Sequence, residues 1–230
     1  MIAAPAEPGP LLPPHETAYA VPPSTMPTDR SLRFFDDQFR RQVRAQDFAL
    51  NPFEQLALPH LRGHVLDYGC GLGNLALAAA RAGCRVVALD ASATAIEHIR
   101  RVAASEGLPI DAEVADLRSY PLAGEFDAVV SIGLLMFFDC ATAWRQLDAL
   151  LGSVRPGGIL VVNVLVEGTT FMDMFAPEGH CLLRGDDLLA RLAAWELLED
   201  LTQRFDAPGG TQKVFSTLVA RRPACVPPAT

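Results

Sequence analysis

Between His64 and Leu165, short apolar runs alternate with helical stretches, and no other feature restricts the fold as tightly. "HVLDY" (64–68) is β-rich and runs into glycines. "NLALAAARAG" (74–83) is alanine-rich with a glycine at its end, the mark of a helix with a C-terminal stop. "RVVALD" (85–90) reads as a buried strand. "SATAIEHIRRVAASEG" (92–107) opens on a serine cap and has helical apolar spacing. "IDAEVAD" (110–116) and "FDAVVSIG" (126–133) read as further strands. "ATAWRQLDALLGSVRPGG" (141–158) reads as a helix that stops before Pro156, and "GILVVNVL" (158–165) as the fifth strand. Such alternation means βαβ units, hence an α/β fold with a parallel sheet covered by helices on both faces. A helix, "GDDLLARLAA" (185–194), follows. The last two strands, "WELLEDLTQRF" (195–205) and "VFSTLVARR" (214–222), are joined only by a loop containing "PGG". A short loop joins antiparallel neighbours, so 214–222 is expected to run against the rest.

Residues 1–30 hold eight prolines among small residues. That density blocks helices and sheet ladders and predicts an extended arm. The segment 223–230 reads as a flexible tail. Residues 31–222 form the domain, with helices over 31–60 expected to cap it; Phe35 and Phe39 are spaced for one helix face.

The whole chain is 50% hydrophobic, enough for a substantial core, and its formal charge is −8. Phosphate neutralisation supplies most duplex affinity, so no nucleic-acid partner is expected. "FRRQVR" (39–44), preceded by acidic "FDDQ", reads as a solvated helix face. No apolar run reaches the roughly 18 residues of a membrane span, and the start lacks the basic and apolar regions of a secretory signal. The five cysteines (70, 84, 140, 181, 225) are odd in number and form no CxxC or His/Cys metal spacing. The expectations are no metal, no membrane, and reduced thiols in a cytoplasmic protein. Oligomeric state is left open.

"VLDYGCGLGN" (65–74) places a glycine turn between a strand and a helix, a nucleotide-binding device. The glycines let backbone N–H groups approach a ligand, and the helix N-terminus suits an anion. A dinucleotide wants G-x-G-x-x-G; here Gly69, Gly71 and Gly73 give G-x-G-x-G, and Asp67 would repel a pyrophosphate. S-adenosylmethionine fits better. Its ammonium wants an acid at the strand end, where Asp67 sits. Its carboxylate can take the turn's N–H groups. Its ribose diol wants a bidentate acceptor at the end of the next strand, where Asp90 sits. Its adenine wants an acid after the third strand, where Asp116 is followed by the Leu117 N–H. All three acids end successive strands, facing one crevice.

These motifs, with "VVALDAS", "EVADL" and "FDAVVSIG", resemble those of class I S-adenosylmethionine-dependent methyltransferases. The resemblance covers about 31–222. It implies a Rossmann-like seven-stranded sheet of order 3-2-1-4-5-7-6 with strand 7 antiparallel, and S-adenosyl-L-methionine as cofactor. It implies cofactor contacts at Asp67, Gly69, Cys70, Gly71, Asn74, Asp90, Ala91, Asp116, Leu117, Ser131 and Phe137. "SIGLLMFFDCATAWRQLDALLGSVRPGGILVVNVLVEG" and "LTQRFDAPGGTQKVFSTLVARR" further resemble the TehB-type tellurite-resistance methyltransferases. That likeness places Arg204 in the catalytic pocket, with Gln203 where the family usually has a histidine.

Methyl transfer from a sulfonium mainly requires alignment and exclusion of water. Leu135, Met136, Phe137 and Phe138 are candidates for an apolar lid. Arg204 and Arg184 are candidates to hold an anionic acceptor. His180 and Cys181 lie in a loop expected to cover the site, and Cys70 reads as a packing residue. The expected function is methyl transfer to a small acceptor, a chalcogen oxyanion such as tellurite or selenite, or a thiol. The alternatives are a larger metabolite hydroxyl or amine, or a cofactor-binding module without catalysis.

Overall fold

The computed structural model describes residues 30–175 and 179–224. The arm expected over 1–30 (but for Arg30) and most of the tail lie outside them. Two helices come first, α1 (Arg30–Ala45) and α2 (Pro52–Ala57). Asn51 caps α2 by accepting from the Phe53 and Glu54 N–H groups, while Glu54 reaches back to the Asn51 N–H at 2.8 Å, a reciprocal capping box. The alternating core follows: β1 (His64–Tyr68), α3 (Asn74–Arg81), β2 (Arg85–Asp90), α4 (Ala93–Glu106), β3 (Ile110–Val114), β4 (Phe126–Ile132), α5 (Cys140–Ser153) and β5 (Val154–Leu165). Then come α6 (Gly185–Arg191), β6 (Glu196–Ala207) and β7 (Thr211–Arg221). The caps are legible: Ser92 Oγ accepts from the Ala95 N–H, Asp139 from that of Thr142, and Gly107 ends α4 in the left-handed region.

The seven strands form one sheet in the order β3-β2-β1-β4-β5-β7-β6, with β7 antiparallel to both β5 and β6. The fold class, strand order and reversed strand all agree with the sequence. One face packs Leu66, Val129 and Leu160 against Leu147 and Leu150 of α5 and Leu188 of α6. The other packs Val65, Val86 and Val161 against Ala76 and Ala79 of α3 and Ile96 and Ile99 of α4. Burial on both faces explains why these strands read as continuous apolar runs.

Boundaries differ at β5. The helix ends at Ser153, and the strand begins at Val154, taking in Pro156, Gly157 and Gly158. The β4–β5 register jumps from Phe126↔Val154 to Ala128↔Ile159, so Pro156, which has no N–H to give, sits in an irregularity, while the Gly157 N–H donates to the Arg222 carbonyl at 3.0 Å.

The expectation of reduced thiols is corrected. Cys140 and Cys181 form a disulfide across 41 residues of sequence. The Cys181 N–H donates to the Met136 carbonyl at 3.0 Å, laying the returning chain beside the start of α5. Counting cysteines cannot see that proximity. Cys70 and Cys84 are free and buried. No helix among the described residues is long and apolar enough to cross a membrane.

Candidate functional site

The carboxyl ends of β1, β2 and β4 open onto a cavity of about 470 Å³. The turn after β1 forms its floor. Gly69, Gly71 and Gly73 have φ of +83°, +52° and +72°, a region costly for any other residue. A Cβ on Gly71 would also lie 3.2 Å from the Phe39 ring, so the glycine lets α1 close over the turn. The Gly69 and Cys70 N–H groups donate to the Leu89 carbonyl at 2.8 and 3.0 Å, and that of Gly73 to the Cys70 carbonyl. The Gly71 N–H donates to Asp90 Oδ2 at 2.9 Å. The expectation that the turn's amides stand free for a ligand carboxylate is therefore corrected for these four. They lock the turn.

Asp67 is the penultimate residue of β1 and is only 5% exposed. Its Oδ2 is buried, with no partner among the described residues. Burial, then the neighbouring Glu54 and Asp90, push its carboxyl up to about 8. A buried acid of this kind fits a ligand cation. Asp90 is also raised by burial, against N–H donors from Ser92, Gly71 and Ala91. Ser92 Oγ donates to Asp36 of α1, tying that helix to the same corner. Asp116 holds Arg118 through both its backbone N–H and Nε at 3.1 Å. Tyr68, buried beneath, donates to the Leu117 carbonyl at 2.5 Å and fixes the loop.

The cavity gathers Asp67, Gly69, Cys70, Gly71, Asn74, Asp90, Ala91, Asp116, Leu117 and Phe137 from the sequence expectation. Burial and the nearby Asp90 and Asp67 hold the Cys70 thiol well above its usual range, so it is no thiolate. Of the candidate lid, Met136, Phe137 and Phe138 line the cavity, whereas Leu135 is wholly buried in the core. Phe35 of α1 meets Phe137 edge-on at 4.9 Å, so α1 supplies a wall of the cavity.

Two expectations are corrected by strand alternation. Ser131 lies opposite Val162 and shares its face, away from the cavity, which is lined by Ile132 and Asn163. Arg204 lies opposite Val214, while the cavity-lining Lys213 and Phe215 point to the other face. Arg204 is exposed on the edge strand and does not line the cavity. Arg184 is likewise exposed, 3.9 Å from Asp187. His180 stacks on Phe175, also outside the lining, and Cys181 is in the disulfide.

A methyltransferase-domain family model matches residues 65–158, the stretch from β1 to the start of β5. With the strand order above, that match shows what this stretch is. Residues 65–158 carry a methyltransferase domain, of the class I, S-adenosylmethionine-dependent kind. Among curated proteins, the methyltransferase domain is similar to a ubiquinone biosynthesis O-methyltransferase of Methylocella silvestris, 36% identical over 64% of this chain and 60% of that protein. It also resembles hemagglutinin 1 of Eikenella corrodens, 30% identical over 69% of this chain and 54% of that protein. The chain thus spans little more than half the length of these relatives. Among solved structures, TehB of Haemophilus influenzae shares the fold with a TM-score of 0.67 at 19% identity, over 82% of this chain and 67% of that one. The N-methyltransferase NodS of Bradyrhizobium japonicum, solved with S-adenosyl-L-homocysteine, shares it at 0.64 and 20%, over 85% and 100%.

The residues present fit S-adenosylmethionine: a buried carboxylate with an unpartnered oxygen, a glycine turn with no room for a Cβ at Gly69, an acid at the end of β2 and another just past β3. Among the lining residues that the sequence does not single out are Glu54, Asn163 and Lys213. Glu54 is announced by the capping box in "NPFE". Lys213 is the only lysine of the chain, a signal in itself. Asn163 sits inside an apolar strand with nothing beside it in sequence to mark it.

Proposed function

We propose that this protein transfers the methyl group of S-adenosylmethionine to a small organic acceptor bound at the aromatic end of the cavity. One observation carries the reading: the buried Asp67 carboxylate, unpartnered at Oδ2, faces a cavity that Asp90 and Asp116 also line. Asp67 takes the ammonium of the cofactor, Asp90 accepts from the ribose hydroxyls, and the Asp116–Leu117 turn meets the adenine. The cofactor, when bound, supplies a methyl group already activated on a sulfonium. Phe35, Met136, Phe137 and Phe138 then keep water from the reacting end.

Neither candidate to hold tellurite or selenite lines the cavity: Arg204 lies on the other face of the sheet, and Arg184 is exposed beside Asp187. The TehB likeness is one of fold. The curated O-methyltransferase relative, with the aromatic lining, favours a carbon-based acceptor. The test is incubation with methyl-labelled S-adenosylmethionine and, in parallel, tellurite, selenite and a metabolite pool. A labelled, non-volatile metabolite supports the reading. A volatile labelled chalcogen product supports the oxyanion instead, and no transfer to any acceptor argues for a cofactor-binding module.

A further inference from the structure

Beyond the strand ends that face the nucleoside, one row of side chains lies along the same face of the sheet. Asn163 of β5 pairs with Thr217 of β7, Leu165 with Phe215, and Phe205 of β6 with Lys213. Alternate residues share a face, so Thr217, Phe215 and Lys213 point the same way. At about 3.4 Å per residue, Lys213 lies about 14 Å along the strand from the Asn163 level.

Each part of the row has a distinct chemistry. Asn163 is wholly buried and lines the cavity. One end of its amide donates to Thr217 Oγ1 at 2.8 Å, while its Oδ1 has no partner among the described residues. A buried amide left half-satisfied is costly unless a ligand completes it. In the middle, Phe53 and Phe215 meet at 4.8 Å and both line the cavity, with Phe205 closing the ring cluster at 5.8 Å from Phe215. At the far end the Lys213 ammonium lies 4.7 Å from the centre of the Phe171 ring, and among the described residues no carboxylate pairs with it. Partial burial lowers its pKa without a counter-ion to offset the cost.

We propose that this row is the acceptor subsite, and that it selects a flat apolar acceptor, aryl in character, carrying a carboxylate that Lys213 binds. The rings of Phe53 and Phe215 take the body of that acceptor, and the Asn163 amide takes a polar group at the end nearer the cofactor. The inference rests on the reading above, whose cofactor it requires.

Because Lys213 is the only lysine, reductive methylation with labelled formaldehyde gives one side-chain NMR resonance besides that of the amino terminus. Two matched probe pairs are titrated into the protein loaded with S-adenosyl-L-homocysteine: 4-hydroxybenzoate against 4-hydroxybenzamide, and 4-hydroxycinnamate against its amide. Calorimetry on unmodified protein supplies the affinities. The expected result is that at least one carboxylate binds tenfold or more tighter than its amide and shifts the Lys213 resonance. Lys213→Met abolishes the preference, and Lys213→Arg restores part of it. Affinity for S-adenosyl-L-homocysteine stays within twofold in all three proteins. Equal binding of acid and amide, a preference that survives in Lys213→Met, or no binding by any probe overturns the inference. Failure to bind S-adenosyl-L-homocysteine instead sinks the reading beneath it.

Discussion

The backbone N–H of Gly71 donates to Asp90 Oδ2 at 2.9 Å, so the glycine turn after β1 is pinned to the end of β2. Asp90 Oδ1 meanwhile accepts from the Ser92 N–H at 2.8 Å, at the cap of α4. One carboxylate thus joins turn, strand and helix, in a residue that also lines the cavity.

That arrangement makes Asp90 both a scaffold and a ligand contact. Hydrogen bonds to a charged group contribute about 1.5–3 kcal/mol each. Asp90→Asn keeps one acceptor for the turn and loses the charge. It is expected to melt within a few degrees of the parent while binding S-adenosyl-L-homocysteine at least tenfold more weakly, read by calorimetry alongside circular dichroism.

Asp67 sets a pH dependence. Its carboxyl is held at about 8, chiefly by burial, then by Glu54 and Asp90. An acid whose pKa is higher folded than unfolded holds more protons in the native state, so it costs stability as pH rises from about 4 to about 8. Asp67→Asn is therefore expected to gain melting temperature relative to the parent at pH 8 and to lose that gain near pH 4. For binding the sign reverses: a ligand ammonium favours the ionised carboxylate. S-adenosyl-L-homocysteine should release a proton on binding at pH 7, and its affinity should climb toward pH 8 with a slope of at most one proton. Calorimetry in buffers of different ionisation enthalpy measures the release, and Asp67→Asn should abolish it.

Arg204 offers a contrast. It sits opposite Val214 on the face away from the cavity and is exposed at the sheet edge. Arg204→Ala should leave affinity for S-adenosyl-L-homocysteine and methyl-transfer rate within about twofold, because surface charges far from a site contribute little. A loss of tenfold or more in either would return the residue to the site.

The contrast also shows what was legible in the sequence. The alternation from His64 to Leu165 and the short link between the last strands carried the sheet and its reversed strand, because periodicity and loop length are local. The acids were legible for the same reason: Asp67, Asp90 and Asp116 each end a run that announces itself. Arg204 and Ser131 depended on which face of a strand points where, and a shift of one residue reverses that. Lys213 and Asn163 meet the cavity only through the pairing of β5 with β7, and Cys140 meets Cys181 only when the chain returns past Met136. Those relationships are long-range, and no spacing in the sequence encodes them.

The disulfide has a stability consequence. Closing a loop of this length contributes about 4 kcal/mol in the chain-entropy account. Cys140→Ser is expected to lower the melting temperature by several degrees, and added dithiothreitol should do the same to the parent while leaving the variant unmoved. Equal melting with and without reductant in the parent would show that the bond does not stabilise the fold.

A crystal structure with S-adenosyl-L-homocysteine bound decides whether the acids at the strand ends grip one nucleoside. The amino group is expected within hydrogen-bond distance of Asp67 Oδ2, the ribose hydroxyls on Asp90, and the adenine beside Asp116 and Leu117. A nucleoside seated elsewhere on the chain, or one in this cavity that touches none of the three carboxylates, would contradict that expectation.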